Sequence, residues 1–411
     1  MKRFKFHKAW LMLFGCICLM SELPTVTTLL SFFVKPVCDA FYFQRGAFTI
    51  YVSITAIMTA LSMPLWGNII NKIGIKAVVV ISGTITGIGL IAMSTSTSLM
   101  QFYIAAFFVG FATPAASMLP TSIIINNWFV EKKGLAMGIA MSFSGVSAAI
   151  LSPIVVRVIG HGGWSSGYIL LGVTSLVLTI PVALFIIKER PADAGSTAYG
   201  AQELKPGRQY FPKATGVSSK VALKSGAFFG IAAATLLVGF SASGFSAHVP
   251  AHLANKNFSL IMIGSIMSML MIGLIVSKIG AGWLNDRIGT SMVSTITLVC
   301  AGGGFFLLTI ADNYAIAIAA CALYSAGLAY TTVFYPLLTS KMFGAKDFNS
   351  IYPFMSALNF VGYAAGAPLF GIIFDQTGSY TFGLYAAAIM SITAAAFAAL
   401  SIKASKKLPT N

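Results

Sequence analysis

Lys278 sits in the run Gly-Leu-Ile-Val-Ser-Lys-Ile-Gly-Ala-Gly-Trp-Leu at 273 to 284, apolar on both sides of the single cation. A charge near the centre of a bilayer costs roughly 3 kcal/mol even on a lenient scale, so such a lysine either reaches water or is matched by an anion. Eight residues on, the run ends in Gly282-x-x-x-Asp286-Arg287-x-Gly289. On a helix that spacing carries Lys278 about 12 Å inward of the turn. Glu22 is the only acid well inside an apolar run. It fits a protonated or hydrogen-bonded carboxyl in a helix bundle, and equally a proton acceptor or a counter-ion to Lys278.

The elements that must position these residues follow from composition. Of 411 residues, 57% are hydrophobic and 9% charged, with a mean hydropathy of +0.87. That leaves too little polar surface for a soluble globule and implies an all-α, polytopic membrane protein. Twelve spans of about 20 residues can be drawn: 9–35, 45–66, 77–95, 101–127, 134–157, 165–187, 223–248, 258–281, 292–311, 314–341, 350–373 and 380–402. The net charge of +16 does not point to nucleic acid. Apart from Lys35, Arg45, Arg157, Lys256 and Lys278, the 26 Lys and Arg fall on one side of this map, in the tails and alternate loops. A positive-inside topology with both termini cytoplasmic accounts for them.

The hydrophilic segment 188–222, with Pro191, Gly195, Pro206, Gly207 and Pro212, divides the spans six and six. The expected organisation is a bundle at 1–187, a cytoplasmic linker at 188–222 with a short interfacial helix near Ser218 to Lys224, and a second bundle at 223–411. The two halves repeat. Gly67-x-x-x-Asn71-Lys72-x-Gly74 follows the second span as Gly282-x-x-x-Asp286-Arg287-x-Gly289 follows the eighth. The glycines permit a tight turn, and an acid there can neutralise a helix N-terminus. Lys278 has no twin: Met63 occupies its place in the first copy.

This paired loop resembles the signature of the major facilitator superfamily, which implies two six-helix bundles around a central cavity and alternating access. Asn71 departs from the acid usual at that point. Residues 128–146, with Phe32 to Phe48, Gly344 to Tyr352 and Phe374 to Tyr380, are similar to the monocarboxylate transporters and the bacterial oxalate:formate antiporter group. In that group a cation four residues before Gly282 is the carboxylate-binding group, so the resemblance implies Lys278 for that role. An acid often stands at the position of Leu274, and the oxalate-handling members use a second cation on the eleventh helix. Residues 350–373 contain no Lys or Arg.

The implied cargo is one small monocarboxylate, lactate- or pyruvate-like, carried by proton symport or anion exchange. Oxalate/formate exchange and export of drugs or amphipathic compounds are the alternatives. Tyr330, Thr331, Phe334, Asn359 and Tyr363 fall on helical faces that can line a cavity, although helix packing uses the same residue types. Glu22 and His248 are the candidates for proton coupling. His248 and His252 are separated by Pro250 with no carboxylate near, which suits an outer loop or gate better than a metal. The five cysteines have no ligand spacing. Neither a Walker loop nor a nucleophile elbow is present, so enzymatic or ATP-driven activity, and any cofactor, is not expected. A monomer in the cell membrane is expected.

Overall fold

The computed structural model describes residues 7–201 and 215–409. Lys2, Arg3 and Lys5 of the basic tail and Pro206, Gly207 and Pro212 of the linker lie outside the described residues. Among the described residues, ten helical segments are long and apolar enough to cross a membrane. Two of them run 49 residues or more and break at a single glycine, Gly74 (φ 80°, ψ 160°) and Gly163 (φ 74°, ψ 173°), where only a residue without Cβ turns the chain readily. Divided there, the described residues form twelve spans: α1 (Lys8–Phe41), α2 (45–73), α3 (75–93), α4 (Leu99–Trp128), α5 (133–162), α6 (164–186), α7 (Gly226–Asn255), α8 (Ile261–Ile288), α9 (Thr290–Thr309), α10 (Tyr314–Phe343), α11 (Phe348–Thr377) and α12 (Thr381–Ser405).

Several starts are set by side-chain caps. Ser98 and Gln101 form a reciprocal capping box at α4, and Ser225, Ser259 and Asn313 accept from the backbone of α7, α8 and α10. Two spans are irregular inside. The regular helix of α1 ends at Glu22, just before Pro24, and α10 widens by one residue per turn over Tyr330–Phe334, ahead of Pro336. The expected end of the seventh span at 248 is corrected: α7 runs through Pro250 to Asn255. His252 accordingly lies on helix.

The chain forms two compact units, 1–131 with 143–202, and 132–142 with 203–411. The start of α5 therefore belongs to the second unit. Each unit has an aromatic core. In the first, Phe33 stacks on Tyr168 at 3.9 Å beside Tyr51, Phe48 and Phe102; in the second, Phe245 stacks on Tyr324 at 3.7 Å beside Phe305 and Phe370. Large apolar side chains such as Leu61, Met100, Val276, Ile389 and Leu400 stand exposed. That suits a multi-pass membrane protein whose outer faces meet lipid.

Candidate functional site

Lys278 is 4% exposed, and its Nζ donates to the backbone carbonyl of Met141 at 3.0 Å. The bond exists because α5 and α8 cross with their backbones nearly touching. A Cβ on Gly138 would fall 2.2 Å from the carbonyl oxygen of Lys278, and one on Gly282 would fall 2.2 Å from that of Gly134. Gly134, Gly138 and Gly282 thus admit an approach that any side chain would block. The lysine is turned into the protein and does not snorkel to the surface. Beside it on α8, Ser277 Oγ meets Ser325 Oγ of α10 at 3.2 Å.

On α10, the irregular turn brings Tyr330 and Phe334 onto one face, with ring centroids 5.9 Å apart and both side chains fully buried. The Tyr330 hydroxyl meets no hydrogen-bond partner among the described residues. A buried donor left so is costly unless something polar reaches it. Asn359 Nδ2 of α11 donates to Tyr335 OH at 2.8 Å and lies 3.4 Å from the carbonyl of Thr235, tying α11 to α10 and α7. Tyr335 itself meets Tyr330 edge-on at 5.4 Å. Tyr330, Phe334 and Asn359 therefore converge through Tyr335, a residue the sequence did not single out although it sits in the same run. Thr331 bonds to its own helix at Leu328 and lines, with Tyr324 and Ser241, a cavity of about 10 Å³, room for one water. Tyr363 is 43% exposed.

In the first unit Glu22 is completely buried. Its Oε1 accepts from Ser175 Oγ of α6 at 3.1 Å, and its Oε2 has no hydrogen-bond partner among the described residues. Ser175 carried no signal in the sequence, because serines are common in these spans. His248 Nε2 lies 2.9 Å from the carbonyl of Ala367, and its ring packs near Phe370 and Tyr380. His252 Nε2 lies 3.0 Å from the carbonyl of Leu308. Both rings pin α7 to neighbouring helices, and no His, Cys, Asp or Glu cluster fit for a metal occurs among the described residues.

The two copies of the loop motif are built alike and charged differently. Gly289 (φ 86°) turns the second copy, and Asp286 accepts from Gly134 N at 2.7 Å and Leu135 N at 2.8 Å, capping the start of α5. Arg287 stacks its guanidinium 3.8 Å over the Trp283 ring. In the first copy Gly74 makes the turn, but the acid comes from elsewhere: Glu189, just past α6, accepts from Ile75 N at 3.1 Å. Its own segment is fastened to the end of α4, with Trp128 Nε1 donating to the Lys188 carbonyl and Asn127 Nδ2 to that of Glu189. Lys72 is exposed and Gly67 is buried. No spacing in the sequence links Glu189 to that turn, more than a hundred residues away.

Comparison with known proteins places this geometry. The family model of the Major Facilitator Superfamily matches residues 11–352. Monocarboxylate transporter 4 of Rattus norvegicus is 26% identical over 198 residues, covering 48% of this chain and 42% of its own length. Monocarboxylate transporter 12-B of Danio rerio is 30% identical over 186 residues, covering 44% and 39%. The chain thus spans about two fifths of the length of these curated relatives. Among solved structures, the proton:xylose symporter XylE superposes with a TM-score of 0.76 at 14% identity, covering 95% of this chain and 96% of that one. The transporter FucP in its outward conformation gives 0.74 at 12%, covering 96% and 99%. At these identities the likeness concerns the fold.

Proposed function

Because the chain belongs to the Major Facilitator Superfamily, we propose that it is a secondary transporter of a small monocarboxylate, lactate- or pyruvate-like, working by alternating access. The observation that carries the reading is Lys278, a buried cation within a membrane span whose bond to Met141 goes to a neutral carbonyl. A carboxylate makes a stronger, charge-assisted bond with an ammonium than a carbonyl does, so substrate would draw Nζ away from Met141. Binding would thereby neutralise the charge that burial penalises, and closing around the loaded lysine becomes easier than closing around the empty one. The similarity to monocarboxylate transporters 4 and 12-B supports this choice of cargo.

Tyr330, whose buried hydroxyl has no partner among the described residues, and Asn359, Phe334, Thr331 and Tyr363 are the residues to which we assign the rest of the substrate. Glu22, whose Oε2 has no partner among the described residues, is the proton carrier in the symport reading, with His248 the second candidate. We place the protein as a monomer in the cell membrane with both termini cytoplasmic, and the bundles at 1–187 and 223–411 joined by the segment 188–222.

The test is uptake of radiolabelled lactate, pyruvate, formate and oxalate into proteoliposomes, with and without a pH gradient. Lys278→Ala lowers uptake at least about 100-fold, the loss expected when a charge-assisted pair worth roughly 3 kcal/mol is removed. Undiminished uptake by that variant overturns the assignment. Glu22→Gln abolishes stimulation by the gradient if Glu22 carries the proton; stimulation that persists removes it from that role. Oxalate-for-formate exchange without a gradient effect favours the antiport alternative.

A further inference from the structure

Glu22 is the last residue of the regular helix that opens α1, and the residues after it change what surrounds its carboxylate. Pro24 has no N–H, so it withholds the donor that a continuing α-helix would offer the carbonyl of Met20. The chain proceeds as tighter 3-10 turns over Leu23–Val26 and Thr28–Phe33, and becomes α-helical again at Val34. This break lies at the middle of the span Lys8–Phe41. The carboxylate therefore stands at the C-terminal end of a helical segment, where the backbone dipole is negative and favours cations. Two negative features meet at one buried point, and Glu22 has no ion pair among the described residues.

Oxygen atoms gather at that point. Side chains three apart eclipse in a 3-10 turn, which puts Glu22 and Thr25 on one face. Both are completely buried, and neither Glu22 Oε2 nor Thr25 Oγ1 has a hydrogen-bond partner among the described residues. Thr55, Thr113 and Thr179, buried in the same unit, each donate to the carbonyl one turn back in their own helix. Thr25 makes no such bond, and a buried hydroxyl left so is costly unless something else meets it. From α6, Ser175 Oγ donates to Glu22 Oε1 at 3.1 Å and keeps its own lone pairs. An all-oxygen set suits a hard cation. One carboxylate balances one positive charge, whereas a divalent ion would leave excess charge in the hydrocarbon.

We propose that Glu22 and Thr25 of α1, with Ser175 of α6, form a binding site for a sodium ion at the break in α1. Interrupted membrane helices supply such sites, because their broken ends free carbonyl oxygens and aim the negative dipole at the ion, and the Met20 carbonyl is placed for that part. A proton and a sodium ion are alternative occupants of one carboxylate. The site thus extends the coupling role given to Glu22 and does not depend on which acid is carried.

The experiment measures the thermal midpoint of the purified full chain in sodium, potassium and choline chloride at equal ionic strength, with no carboxylate added. Sodium is expected to raise the midpoint at least about 3 °C above choline, because an ion that binds only the folded state stabilises it, with potassium giving less than half that shift. Glu22→Gln and Thr25→Val lose the sodium shift, and Thr25→Ser, which restores the hydroxyl, keeps it. Equal midpoints of the wild-type protein in sodium and choline overturn the site, and so does a sodium shift that survives in Thr25→Val. An equal shift by potassium overturns the assignment to sodium. Should Glu22→Gln fail to fold, the Thr25 pair decides. Failure of lactate uptake leaves this result untouched, and absence of a sodium shift leaves the carboxylate reading standing.

Discussion

The turns at 67–76 and 282–291 share a backbone and differ in where their negative charge comes from. Gly74 and Gly289 adopt nearly the same conformation, φ 80° and ψ 160° against φ 86° and ψ 153°. In the later turn the acid is inside the motif, and Asp286 reaches out to cap α5. In the earlier turn Asn71 stands at that position, and Glu189 arrives from beyond α6 to accept from the N-terminus of α3. The repeat has kept the shape that joins two helices and let the electrostatics diverge. Backbone shape is a local demand on glycine, whereas charge at a helix end can be supplied by any residue that folding brings near.

Five substitutions probe this comparison, each read as a thermal midpoint of the purified protein. Asp286→Ala leaves two N–H groups at the start of α5 without their acceptor and costs about 2–3 kcal/mol, since each bond to an ionised carboxylate is stronger than a neutral one. A loss below about 1 kcal/mol would show that the second turn is held by its glycine contacts alone. Gly74→Ala and Gly289→Ala each place a Cβ in the left-handed region and cost about 1–2 kcal/mol, by the same amount in both copies. Unequal losses would break the claim of a shared backbone. Glu189→Ala costs about 1 kcal/mol, most at low ionic strength, because the carboxylate sits at the N-terminal end of α3. Adding the motif's usual acid through Asn71→Asp does not restore it, since the acceptor for Ile75 N is Glu189.

Much of the fold was legible before any coordinates. Apolar runs of membrane length, cations sorted to one side and the repeated turn point to two six-helix halves, because each is a one-dimensional signal set by the bilayer or by a local turn. The boundaries that shifted did so for local reasons: Pro250 does not end α7, because later turns still find packing partners, and His252 within them bonds to Leu308. The candidate site was legible as a set of residue types. Lys278 and Glu22 stand out because an ionisable group in hydrocarbon is rare. Tyr335, which joins Tyr330 to Asn359, was hidden among equivalent aromatics in the same helix.

The sequence by itself determined that the chain crosses a membrane twelve times, that its halves repeat, and that one lysine breaks the repeat. It determined these because each depends on residue type and spacing along the chain. What Lys278 touches was decided only by tertiary structure: three glycines on two helices let α5 and α8 close until the ammonium reaches Met141. The same holds for Glu189 at the start of α3. Such features require groups distant in sequence to meet within a few ångströms, and a linear pattern carries no distance between helices.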